Sequence, residues 1–271
     1  MADNLIRLFK DSLWILLFII IFVVVVIGTK KLIIEPILTR LLPSDYSKSI
    51  QSIFVIIVQL GVFYILSKYY KNIQFIASGN QLYKLLLGSL IAIVIMSLSI
   101  IILTKLNVLT IQKVDSLNLK ITLDLIMFFA VLALFEEIMV RGIAYGVLRN
   151  NFGAIAVILI TSVIFLVPHL TNKGITIYSL ISILLGGIIL GTLRELSGDI
   201  IIPFAFHFFW NLSQGFFGLE VSGGETVATI FRSKFEGTNI MTGGVFGIEA
   251  SIITIGLLLL GILILYKPVF H

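Results

Sequence analysis

Three apolar stretches of this 271-residue chain carry groups that a bilayer disfavours. LFEEIMVR (134–141) holds Glu136, Glu137 and Arg141. FLVPH (165–169) holds His169, and HFFWN (207–211) holds His207 and Asn211. The whole sequence has three histidines, so two of the three lie in apolar surroundings. An ionisable group at membrane depth costs roughly 2.5–3.5 kcal/mol on insertion scales, and it is rare there without a task. Two carboxylates, a guanidinium, two imidazoles and a carboxamide make up the inventory of a hydrolytic site. Such a site needs bases to activate a water and donors to hold an oxyanion.

Spacing divides the labour. Glu136 and Glu137 are adjacent, so on a helix they point about 100° apart and cannot do one job in one direction. Glu137 and Arg141 are spaced i,i+4, on one face and in the favourable carboxylate-first order. This predicts that Arg141 holds Glu137 ionised while Glu136 faces a cavity as general base. The reverse assignment is equally compatible with the spacing. The plainer reading of Glu137 and Arg141 is a buried ion pair that fixes helix packing. It does not extend to Glu136, which has no basic residue three or four positions away. His207 and Asn211 share a face by the same i,i+4 rule and can donate two hydrogen bonds to one oxygen. Their plainer reading is polar glue between helices. Pro203, one turn before, bends that helix or marks its first turn. Pro168 disfavours helical geometry at Val167, so a helix is expected to end or kink near His169, where an imidazole reaches a water. The plainer reading there is a capping histidine at the interface. Phe165, one turn earlier, reads as packing.

These groups need elements that bring them together. The chain is 59% apolar and 12% charged, with mean hydropathy +1.14; soluble domains carry about 25% charged residues. The expected fold is an all-α polytopic membrane protein. About eight transmembrane helices are predicted, near 13–34, 49–67, 82–104, 121–148, 153–170, 176–193, 200–217 and 249–266. Three regions follow: an N-terminal three-helix region (1–119), a core with the charged motifs (120–217), and a glycine-rich loop with a last helix (218–271). The first apolar run lacks a small-residue cleavage site and reads as a retained span. Segments 43–48, 67–72, 171–174 and 194–199 read as short polar connections. The longest connection, 218–248, carries Arg232 and Lys234 beside VATIF and reads as interfacial or partly re-entrant. Basic residues divide almost evenly between alternate connections, so the positive-inside rule sets no orientation. Counting 1.5 Å per residue from the side of the 149–152 and 194–199 segments gives depths of roughly 21 Å for Glu136, 20 Å for Asn211, 13 Å for His207 and 27 Å for His169. In a core about 30 Å thick these groups can converge.

There is no cysteine, which excludes disulfides, thiolate ligands and a cysteine nucleophile. The net charge of +5 is scattered, which fits lipid headgroups and not nucleic acid. Without repeated halves or paired broken helices, a proton- or ion-coupled transporter is disfavoured.

Taken together, Glu136-Glu137-Ile138-Met139-Val140-Arg141, Phe165-Leu166-Val167-Pro168-His169 and His207-Phe208-Phe209-Trp210-Asn211 read as EExxxR, FxxxH and HxxxN. The pattern resembles the CPBP family of intramembrane proteases, the type II CAAX prenyl endopeptidases and their bacteriocin-processing (Abi) relatives. The resemblance covers roughly 120–217. It implies an eight-helix fold and an endopeptidase acting on a membrane-associated peptide or protein. It implies further that Glu136 and His169 activate a water and that His207 and Asn211 stabilise the oxyanion. The expected reaction needs no cofactor. Zinc held by Glu136, His169 and His207 is the alternative, although HExxH spacing is absent. A non-catalytic immunity or regulatory protein using the same cavity is the competing function. The Ile- and Lys-leaning composition hints at an AT-rich prokaryotic genome and a cell-membrane location, and there at a leader or small membrane peptide as substrate. The sequence sets no oligomeric state.

Overall fold

Backbone amides in hydrocarbon must be satisfied within their own segment, so long uncharged runs fold as helices. The computed structural model shows this throughout its described residues, 2–41, 44–70, 73, 77–114, 118–224 and 230–270. In chain order the helices are α1 (Ala2–Thr29), α2 (Glu35–Leu41), α3 (Ser44–Tyr69), α4 (Gln81–Lys105), α5 (Leu119–Glu137), α6 (Tyr145–Leu148), α7 (Ala154–His169), α8 (Ile177–Ser197), α9 (Ile201–Phe217), α10 (Asn239–Thr242) and α11 (Ile252–Phe270). Widened π turns join α1 to α2 (Lys30–Ile34) and α5 to α6 (Ile138–Ala144).

Large apolar side chains are exposed along α1, α3, α4 and α11, among them Leu16, Val24, Ile57, Ile65, Leu86, Ile101, Leu263 and Ile264. A surface of that kind is a lipid contact, and the chain is an integral all-α membrane protein. Among the described residues, four helices are by length and composition able to cross a bilayer, within Lys10–Leu41, Lys48–Tyr69, Gln81–Lys105 and Ile177–Ser197. Ala154–His169 and Ile252–Leu265 are apolar but shorter.

Two apolar cores meet at the acidic helix. Phe18, Phe22, Phe63, Leu134 and Ile138 join α1 and α3 to one side of the α5 chain. Met96, Leu103, Val140, Ile189, Leu193, Phe206 and Leu258 join α4, α8, α9 and α11 to the other. At the interface of α7 and α8 a side chain on Gly187 would stand 2.9 Å from Ser162, so the helices approach this closely only at glycine. A buried polar node ties α4 to the start of α9. Lys84 Nζ lies 2.7 Å from Asp199 Oδ2, and Asp199 Oδ1 accepts from the Ile201 amide at 3.0 Å.

Three connections differ from the sequence reading. Of segment 43–48, the residues from Ser44 onward already belong to α3. Arg194–Ser197 do not form a loop: they are the last turn of α8, which ends at Gly198 with φ 73°. Arg194 stays helical because its guanidinium is buried against the Arg141 carbonyl, Nε to O 2.9 Å, which a polar surface connection could not provide. Segment 218–248 contains β2 (Phe231–Phe235), paired antiparallel with β1 (Leu109–Lys113) in the register Leu109↔Phe235 to Lys113↔Phe231. A two-stranded ribbon satisfies these amides by pairing the strands with each other. Most of VATIF lies outside the described residues.

Candidate active site

Asn118 opens α5 by accepting from the Ile121 amide at 3.1 Å, and the apolar run then carries the helix to Glu137. There the backbone widens into its π turn, a feature common at functional sites. Glu137 and Arg141 are both without solvent exposure, and Arg141 Nη1 lies 3.3 Å from Glu137 Oε1. Arg141 also donates from Nη2 to the Gly187 carbonyl at 3.1 Å, and its guanidinium lies 4.5 Å from the Phe165 ring centroid. The charge is thus held by a carboxylate, a carbonyl and an aromatic face at once.

Pro203 falls in the first turn of α9, which settles the choice its position left open. One turn on, His207 lies between the two glutamates. Its Nδ1 is 2.8 Å from Glu137 Oε1, and its Nε2 is 3.8 Å from Glu136 Oε2. An ionised carboxylate can only accept, so Nδ1 carries a proton towards Glu137 and Nε2 is left for the cavity side. Spacing along one chain segment cannot reveal this partnership, because seventy residues separate Glu137 from His207.

α7 ends at His169, after Pro168 has removed one helical donor. His169 Nδ1 bonds the Phe165 carbonyl at 2.8 Å. A carbonyl only accepts, so Nδ1 is the protonated nitrogen and Nε2 carries the lone pair. Phe165 packs, as its position suggested, but it packs on the site itself. Its ring centroid is 4.7 Å from that of His169 and 5.7 Å from that of His207.

Glu136, His169, His207 and Asn211 all line one groove of about 830 Å³, whose other walls include Asp124, Phe128, Pro168, Asn172 and the 221–224 turn. That volume suits a small ligand or an extended peptide segment. Glu136 Oε2 is buried with no hydrogen-bond partner among the described residues. A second, smaller recess of about 50 Å³ shares His169, His207, Asn211 and Ser222 with the groove, so these four residues wall both spaces.

Glu249, at the start of the last apolar run, was not among the sequence-derived candidates, yet it lines the recess and is buried. The available signal was the one used for Glu136: a carboxylate at the edge of an uncharged stretch. Among the described residues no three His, Asp or Glu side chains are grouped to hold a metal ion. Nδ1 of each histidine is engaged by a protein oxygen, which leaves Nε2 as the nitrogen available to a ligand on each ring.

Residues 118–213, which contain all six residues of the site, match the family model described as Type II CAAX prenyl endopeptidase Rce1-like. Over this segment the chain is similar to that family. The family is one of membrane proteases, and the match begins at the N-cap of α5 and ends two residues beyond Asn211. Neither the curated proteins nor the solved structures contain a match to the chain.

Proposed function

We propose that the chain is an intramembrane endopeptidase that hydrolyses a peptide bond of a membrane-associated peptide or protein. The observation that carries this reading is Oε2 of Glu136, which has no hydrogen-bond partner among the described residues and lies buried in the wall of a groove that His169, His207 and Asn211 also line. A buried acceptor without a hydrogen-bond partner is a seat for a water. Glu136 takes a proton from that water, and the lone pair on His169 Nε2 assists by accepting a hydrogen bond from it. The oxygen attacks the carbonyl carbon, and the carbonyl becomes a tetrahedral oxyanion. Asn211 Nδ2 and protonated His207 Nε2 donate to that oxyanion. Glu137, anchored by Arg141, holds the His207 ring by Nδ1 and stabilises its cationic form, as a carboxylate does in a catalytic triad. Collapse of the intermediate breaks the C–N bond, and Glu136 returns its proton to the leaving amine. Every step uses this chain's own side chains, so the reading is metal-independent.

The family's description names prenylated substrates, which the apolar groove and a bilayer setting accommodate; a leader or small membrane peptide is the other candidate class. The test is hydrolysis of quenched-fluorescent peptides, lipidated and unlipidated, by the protein in proteoliposomes. Wild type is expected to turn over at least one class and to keep its rate in excess chelator. Glu136→Gln is expected to remain folded and to lose turnover by at least about 10²-fold, the scale of a general base. Turnover surviving in Glu136→Gln would sink the mechanism.

A further inference from the structure

Glu249 accepts from four donors, and they come from two different walls of the site. Oε1 takes Trp210 Nε1 at 2.6 Å and Gln214 Nε2 at 3.1 Å, both on α9. Oε2 takes the amide and the hydroxyl of Ser222 at 2.8 and 2.7 Å. Trp210 is the neighbour of Asn211 and lies three residues from His207, so the first pair of bonds fixes the α9 face that carries both. The Ser222 carbonyl in turn accepts from Asn172 Nδ2 at 2.9 Å, and the Asn172 amide bonds the His169 carbonyl at 3.0 Å. One carboxylate therefore joins the end of α7, which carries His169, to α9, which carries His207 and Asn211.

Two further features suit a tie of this kind. Ser222 has φ 49°, a left-handed conformation that a serine keeps only when its surroundings enforce it. Glu249 is buried and saturated, and it touches none of the six motif residues in any bond given above. It also lies beyond the segment that matches the family, in the C-terminal part of the chain.

We infer that Glu249 is a positioning residue, which sets the distance between His169 and the His207–Asn211 pair across the groove. Its effect on catalysis rests on the hydrolase reading; its effect on the two imidazoles does not. Replacing it with glutamine would turn an amide N–H₂ towards groups that are themselves donors, so one end of the tie must release. The change leaves size and shape almost intact.

The chain has three histidines, and this makes the test direct. Ring-nitrogen NMR of histidine-labelled protein, with His271 set apart by a His271→Gln variant, reads His169 and His207 alone. Glu249→Gln is expected to move both signals while the protein stays helical. The exposed control Glu236→Gln is expected to move neither. Ser222→Gly removes the hydroxyl and relieves the left-handed backbone, so it tests the same tie with little risk to folding. On a peptide cleaved by wild type, Glu249→Gln is expected to lower kcat on the order of ten-fold or more with KM little changed, as misplacement of catalytic groups does. Unmoved signals for both histidines in Ser222→Gly and in folded Glu249→Gln overturn the inference, as does a lower melting temperature with both signals and kcat intact. Signals that move in a protein whose wild type cleaves no peptide would uphold the tie and remove the hydrolase reading instead.

Discussion

Arg141 shows how a full charge is kept at zero exposure. Its guanidinium meets the Glu137 carboxylate, the Gly187 carbonyl and the face of Phe165. Removing one member of a buried pair strands the other, at a cost of about 3–5 kcal/mol; removing both can cost much less. Arg141→Met is therefore expected to lower the melting temperature in detergent sharply, and Glu137→Gln/Arg141→Met to recover part of the loss. A double variant as unstable as the single one would show that the partners of Arg141 outside the carboxylate dominate. Lysine at 141 keeps the charge but not the fork that reaches Glu137 and Gly187 together, so Arg141→Lys should fall between wild type and Arg141→Met.

Among the elements, α8 carries adjacent glycines with opposite roles. A methyl on Gly187 would press on Ser162 of α7 at 2.9 Å, whereas one on Gly186 meets nothing within 4 Å and faces the small recess. Gly187→Ala is expected to cost roughly 1–3 kcal/mol, the usual price of overpacking, and Gly186→Ala almost nothing. Thermal unfolding of the two variants side by side checks this, and equal losses would contradict it. The same helix marks what the sequence can and cannot convey. Local spacing made the Glu137–Arg141 pair and the shared face of His207 and Asn211 legible, because i,i+4 geometry is set by the helix alone. It could not reveal that His207 rests on Glu137 or that Arg194 remains inside α8 to cap the Arg141 carbonyl. Those bonds join elements whose relative placement only tertiary packing decides. The β1–β2 ribbon escaped for a related reason: its strands are five residues each, and their partners lie more than a hundred positions apart.

For the whole molecule, unequal helix lengths matter. α1 with its π turn and α2 runs on to Leu41, and α4 spans 25 residues, but α7 has 16 and α9 has 17. At 1.5 Å per residue the two histidine-bearing helices are only about 24 and 26 Å long, against a hydrocarbon core of about 30 Å. Helices this short are expected to draw the headgroups of the surrounding lipid towards the site. The water boundary is then expected to lie closer to Glu136, so that a chain lying flat on the membrane meets the site without having to sink to mid-bilayer depth. Lipid thickness then becomes a control on rate: turnover of a surface-bound peptide is expected to be faster in vesicles of shorter acyl chains and to slow as the chains lengthen, while Glu136→Gln stays inactive in all of them. A rate indifferent to chain length would mean that the groove draws its substrate from within the bilayer.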